Sequence, residues 1–263
     1  MTQRTREGAG PDAPGLQQPP TPQEVATGWE RVVEVLRSQW HLVLLLVVAL
    51  GVFGAMVAAA EEIYEAVQDG DDLAAVDQPL LDTFLAWRTP ELDRAVTLYT
   101  DLGGTVWAPV FTLLLVVGLG VLWRSWTPVV LMVVATAGSL TMTSVGKVVV
   151  ARARPDTSLA VPPFETSAAF PSGHTLNATV IAFTIAYLVW MHVRSRLVRV
   201  LVLVGAVVHA VLMGMSRVYL AHHWFTDVVV AWVLGIGWLA LVVAVHQLVL
   251  ARTGRRSRRP GTG

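Results

Sequence analysis

The feature that most constrains this chain is a run of 27 residues, 224–250, in which Asp227 is the single charged side chain. At about 1.5 Å of rise per residue such a run is longer than the roughly 30 Å of a bilayer's hydrocarbon core, so it reads as a membrane span. Residues 41–60 form a second run, free of Asp, Glu, Lys and Arg. The whole chain is 54% hydrophobic and 14% charged, against roughly 45–50% and about 25% in soluble domains. Its apolar surface therefore belongs in lipid. The net charge is zero, which gives no electrostatic case for nucleic acid. Cysteine is absent, which removes disulfides, thiolate metal sites and a cysteine nucleophile.

Hydropathy predicts an all-α integral membrane bundle of six spans, over residues 40–60, 105–123, 127–150, 175–193, 197–215 and 224–250. A domain over 29–250 would carry them. Ahead of it, residues 1–28 are rich in Pro, Gly and Gln and read as a disordered tail. Residues 251–263 form a basic tail with Arg252, Arg255, Arg256, Arg258 and Arg259. Ala58–Ala59–Ala60 could suggest a cleaved leader, but the polar stretch before the run is too long for one. With six spans, the side holding both termini has 13 of the 19 Lys and Arg residues, so the termini are expected in the cytoplasm. The connections over 61–104, 151–174 and 216–223 would then face outward. The first holds 11 of the 19 acidic residues, with Leu81, Phe84, Leu85, Leu92, Val96 and Tyr99 at helical spacing. Two short amphipathic helices broken near Pro90 fit that pattern.

Three segments on the outward side hold most of the polar chemistry. The first runs from Lys147 to Arg154–Pro155, the second is Pro171–Ser172–Gly173–His174, and the third runs from Ser216–Arg217 through His223 to Asp227. Charges at the membrane boundary are costly, so Lys147, Arg217 and Asp227 are functional candidates. Lys147, Arg154 and Arg217 form a trio of cations suited to a phosphoryl dianion, the nearby carboxylates in sequence being Asp156 and Asp227. The Pro-Ser-Gly segment reads as a helix start, whose free N–H groups favour an anion. His223 and Asp227 are spaced i, i+4, a shared face on a helix. An aspartate bonded to one imidazole nitrogen leaves the other free to attack. His222 lacks such a partner, and His174 stands apart as a candidate general acid.

These segments resemble the signature of the type 2 phosphatidic acid phosphatase superfamily, the lipid phosphate phosphatases: Lys, six residues, Arg-Pro; Pro-Ser-Gly-His; and Ser-Arg, five residues, His, three residues, Asp. All three parts are met in order and at the family's spacing, and the resemblance covers residues 105–250. It implies a six-span fold with an outward site, no metal and no cofactor. It implies His223 as a nucleophile forming a phosphohistidine, Asp227 as its orienting partner, and His174 as acid and then base. Lys147, Arg154 and Arg217 would bind phosphoryl oxygens, with Ser172 and the Gly173 N–H completing the cradle. The implied partner is a membrane lipid ending in phosphate or pyrophosphate. Undecaprenyl- or decaprenyl-type pyrophosphate is favoured, ahead of phosphatidylglycerol phosphate and phosphatidic acid.

Competing readings are a phosphotransferase passing the phosphoryl group to an alcohol, and a transporter or lipid-binding protein with an idle site. Arg152 reads as a rim contact. His222 reads as an interfacial residue, and His209 as bonded to a neighbouring helix, with a relay as its alternative. Trp40, Trp123, Trp126, Trp190 and Trp224 sit near span ends, as an aromatic belt would.

Overall fold

The structure is a computed structural model that describes residues 40–69 and 74–256. The chain divides into two units at Val43. Of the first, only the opening turn of one helix is described, and everything below concerns the second. The expected tail over 1–28 lies outside the described residues, as does the end of the basic tail.

Among the described residues there are eight α-helices and no strand. They are α1 (Trp40–Asp69), α2 (Asp77–Ala86), α3 (Pro90–Asp101), α4 (Trp107–Trp123), α5 (Thr127–Val150), α6 (Gly173–His192), α7 (Arg196–Tyr219) and α8 (Phe225–Arg256). By length and composition, α5, α6, α7 and residues Phe225–Ala251 of α8 are long and apolar enough to cross a membrane. The other two expected spans are shorter apolar stretches, Val43–Ala58 within α1 and Trp107–Trp123. At 17 residues, α4 is about 25 Å long, close to the hydrocarbon thickness. The chain is a multi-pass membrane protein, and its outer side chains fit lipid, not water: Val148 is 81% and Val121 74% exposed.

The helix ends follow local chemistry. α2 stops before Pro90, because a residue preceding proline is driven out of the helical region. Thr89 is extended there, and its Oγ1 accepts from the Leu92 N–H at 3.2 Å, while Pro90 opens α3 and Glu91 and Asp93 occupy its first turn. That is a sound N-terminus on every count. Both short helices pack on the end of α7. Arg88 donates to the carbonyls of Tyr219 (3.1 Å from Nε) and Leu159, and the Tyr219 hydroxyl donates to Asp93 at 2.7 Å. The amphipathic pair is thus tied to the protein as well as lying over it.

Two tryptophans of α8 lock it to its neighbours through glycine. Trp238 lies so close to Gly138 of α5 that a Cβ there would meet its ring at 2.1 Å, and its Nε1 donates to the Ala135 carbonyl at 3.0 Å. Trp232 repeats the arrangement on α7, over Gly214, with Nε1 donating to Ala210 at 3.0 Å. Small residues that let helices approach closely are how membrane helices pack when no hydrophobic force separates lipid from protein. His209 bonds to a neighbouring helix as expected: its Nδ1 lies 3.0 Å from the Tyr99 hydroxyl of α3.

Candidate active site

The three motif segments meet at one end of α5, α6, α7 and α8. Lys147 stands in the last turn of α5, and Ala151, left-handed at φ 49°, ends that helix. A left-handed alanine costs about 1–2 kcal/mol, and it turns Arg152 and Arg154 back over the helix ends. Lys147 Nζ donates to Ser167 Oγ at 2.8 Å and to the Ala168 carbonyl at 2.6 Å. Arg154 donates to the Ser167 carbonyl at 2.7 Å and to the carbonyl of His222, and its Nη1 lies 3.2 Å from His223 Nε2. Burial lowers the Arg154 pKa, partly offset by Glu165 and Asp227. Arg217, 2% exposed, donates to Thr100 Oγ1 at 3.0 Å and to Glu165 Oε1 at 2.6 Å.

His223 does not share a helix face with Asp227. α8 begins only at Phe225, because five residues must reverse the chain from α7 and Ala221 is left-handed at φ 55°. His223 lies in that reversal, its N–H donating to the Arg217 carbonyl at 3.2 Å. Asp227, in the first turn of α8, accepts the Trp224 N–H on Oδ2 at 3.0 Å. The same Oδ2 faces His223 Nδ1 at 3.5 Å, too long for a formed hydrogen bond, and Nδ1 has no other partner. Burial, then Arg154, Arg217 and Lys147, hold the His223 pKa well below its ordinary 6.5. The imidazole is therefore neutral and its Nε2 lone pair available near neutral pH.

His174 and Gly173 open α6 and line the same cavity as Lys147, Arg154 and His223. Ser172 lies beneath it, fully buried, its N–H donating to the Asp227 carbonyl at 3.2 Å and its hydroxyl 2.8 Å from Thr175 Oγ1. Its atoms thus tie the second motif to the third, and the Gly173 backbone is the part that faces the cavity. Pro171 rests on Gly146 of α5, where a Cβ would come within 2.5 Å of its Cδ. That contact sets the distance between the Pro-Ser-Gly-His turn and Lys147, the next residue on α5.

Several residues stand where sequence reasoning did not put them. The carboxylate that answers the cations is Glu165: it meets Arg217 at 2.6 Å and Arg154 at 3.6 Å. Burial pushes its pKa up, but Arg217 and Arg154 outweigh that and hold it below the usual range. Asp156 instead accepts the Ser158 N–H at 2.8 Å, capping a short 3-10 turn. His222 is 3% exposed and not interfacial: its Nε2 lies 2.7 Å from the Val161 carbonyl. Burial and Arg217 lower its pKa to about 4. Arg152 is no rim contact either, since it bridges Asp227 at 2.6 Å and Asp77 at 2.8 Å. Glu165 stands nine residues before His174, near enough to have been weighed. Asp77 lies too far along the chain from Asp227 for one sequence to pair them.

From the cations, a cavity of about 590 Å³ runs between α4, α5 and α6, reaching from Lys147 to Val129 and walled by Val116, Met132, Leu140 and Ile181. Eighteen residues of α5 separate its ends, roughly 27 Å of helix.

Known proteins share sequence and fold with this chain. Residues 128–250 match the family model described as PAP2 superfamily. Phosphatidylglycerophosphatase B of Bacillus subtilis is 32% identical over 72% of this chain and 89% of its own length. An undecaprenyl-diphosphatase of Sulfolobus acidocaldarius is 29% identical over 52% of this chain and 61% of its own. Among solved structures, the transmembrane PAP2-type phosphatidylglycerolphosphate phosphatase from Bacillus subtilis superposes with a TM-score of 0.68 at 26% identity, covering 75% of this chain and 96% of that one.

Proposed function

This chain belongs to the PAP2 superfamily, and on that footing we propose that it is a lipid phosphatase working through a phosphohistidine at His223. The observation that carries the reading is one cavity that joins Lys147, Arg154 and two histidines to an apolar groove, with Arg217 tied to it through Glu165. A phosphate head group fits the first part and a lipid tail the second. Burial and Arg217 lower the His174 pKa to about 3, so His174 takes up a proton as the phosphate dianion binds beside it. In the first step His223 Nε2 then attacks phosphorus and the bond to the lipid oxygen breaks, with protonated His174 giving that oxygen its proton. Asp227 accepts from Nδ1–H and offsets the charge that the ring gains. Lys147, Arg154 and Arg217 hold the equatorial oxygens, joined by the Gly173 N–H, and Ser172 supports the turn from below. Glu165, paired with Arg217 and Arg154, gives up those cations to the phosphoryl oxygens when substrate binds. In the second step His174 takes a proton from water, which attacks phosphorus; the P–N bond breaks and orthophosphate leaves.

The proposed mechanism calls on no metal. The proposed topology has six spans within a domain over 29–250, both termini cytoplasmic and the site outside. Phosphatidylglycerol phosphate is proposed first as substrate and a prenyl pyrophosphate second, a ranking supported by the fuller coverage of the phosphatidylglycerophosphatase B relative. The test is phosphate release by the purified protein in detergent, with and without chelator, from phosphatidylglycerol phosphate, phosphatidic acid and undecaprenyl pyrophosphate. Chelator-resistant release is expected, fastest from phosphatidylglycerol phosphate. Chelator-sensitive release would contradict the mechanism. Release that appears only with an alcohol acceptor present would favour the phosphotransferase.

A further inference from the structure

Outside the phosphate cradle, one buried charge network reaches Asp227 through two residues that the mechanism above leaves unused. Asp77 in the first turn of α2, Arg152 beyond the end of α5, and Asp227 in the first turn of α8 form a chain in which one guanidinium bridges two carboxylates. Their side chains are 4%, 10% and 0% exposed. Arg152 Nη1 donates to Asp227 Oδ1 at 2.6 Å and to Thr226 Oγ1 at 2.7 Å, and Nη2 donates to Asp77 Oδ2 at 2.8 Å. Asp77 also accepts the Thr226 N–H at 2.8 Å and the Thr226 hydroxyl at 2.7 Å, so it grips the turn from which Asp227 projects.

Arg152 stands within the first motif, two residues before Arg154, which invites reading it as a fourth phosphate-binding cation. The geometry points elsewhere. Both its terminal nitrogens are committed to carboxylates, Asp227 and Asp77, that do not line the cavity, whereas the carboxylate on Arg217 is Glu165, which does. Its binding to Oδ1 leaves Oδ2 as the atom that faces His223 Nδ1 at 3.5 Å. Without the guanidinium, two buried carboxylates would face each other with no counter-charge, a strongly unfavourable arrangement that moves one of them.

We propose that Arg152 is a positioning residue that aims Asp227 at His223, and that Asp77 of α2 holds Arg152 in place. The first extracytoplasmic helix of the proposed topology thereby becomes part of the catalytic apparatus. The inference rests on the phosphohistidine reading. Wild-type turnover that is lost in His223→Ala secures that reading by itself, so the variants below then bear on positioning alone.

The test uses full-length protein in detergent with phosphatidylglycerol phosphate as substrate and orthophosphate as competitive inhibitor. Arg152→Gln and the isosteric Asp77→Asn are expected to lower kcat about 10- to 100-fold, as removal of an outer-shell partner does, with KM and the orthophosphate inhibition constant within about twofold. In an Asp227→Asn background, Arg152→Gln is expected to cost less than about twofold more, because residues acting through one another do not add. If Arg152→Gln does not fold, Asp77→Asn carries the test by the same measures, since it changes one atom of the network. A tenfold weaker orthophosphate inhibition would overturn the proposal in favour of a phosphate-binding cation. Losses that multiply with Asp227→Asn, or an unchanged kcat in folded variants, would overturn it as well.

Discussion

Replacing Gly146 by alanine puts the site's geometry under a small, directed strain. The added Cβ would lie 2.5 Å from Pro171 Cδ, against an ordinary carbon contact of about 3.5–4.0 Å, so something must move by about 1 Å. The proline ring is closed onto its own backbone and cannot rotate away, so the displacement passes to Ser172, Gly173 and His174. Opposing terms meet in the stability. Alanine favours the helix over glycine by about 1 kcal/mol, while overpacking costs about 1–3 kcal/mol, which leaves a net loss of no more than about 2 kcal/mol. Activity has no such offset. A misplacement of about 1 Å between His174 and the cradle held by Lys147 is expected to cost about 10²-fold in kcat. Phosphate release at saturating lipid, beside thermal unfolding in the same detergent, separates the two effects. Gly118→Ala in α4 is the control, since its Cβ would meet nothing within 4 Å and should leave turnover unchanged. Turnover of Gly146→Ala within about twofold of wild type would refute the reasoning.

Gly138→Ala is expected to loosen α5 from α8, because Trp238 occupies the space at 2.1 Å; the unfolding midpoint should fall by an amount equivalent to about 1–3 kcal/mol, and an unchanged midpoint would contradict the packing described. His222 should make stability depend on pH. In the unfolded chain it takes a proton below its ordinary 6.5, but in the fold only near about 4, so its contribution is complete above pH 6.5 and is lost as pH falls toward 4. That contribution is on the order of 3 kcal/mol. A His222→Gln variant should therefore show a flatter decline in unfolding midpoint between pH 7.5 and 4.5 than wild type, and parallel declines would count against it.

Four of the six expected spans were legible because hydropathy over a membrane's thickness is a local property of the chain: α5 runs over the residues expected, and α2 and α3 break at Pro90 as its restriction on the preceding residue requires. The motif residues were legible as a group for a similar reason, since each motif is contiguous, and the structure brings Lys147, Arg154, Gly173, His174 and His223 to one cavity. What failed was inference across turns. The i, i+4 spacing of His223 and Asp227 implied a helix, whereas the reversal at Ala221 places the histidine before α8 begins. Ser172 looked like a cradle donor because helix starts bind anions, but its N–H is taken by Asp227 and its hydroxyl is paired with Thr175. Glu165 was near enough to His174 to be weighed, but Asp77 carries no local mark of its role; each acquires that role from cations brought near by folding.

The most direct measurement traps the intermediate. Wild-type protein mixed with lipid labelled in its terminal phosphate is quenched in alkali, which preserves phosphohistidine, and the labelled peptide is identified. The account predicts label on His223, none in His223→Ala, and turnover of that variant lower by at least about 10³-fold. Label on another residue, or near-normal turnover in folded His223→Ala protein, would contradict it.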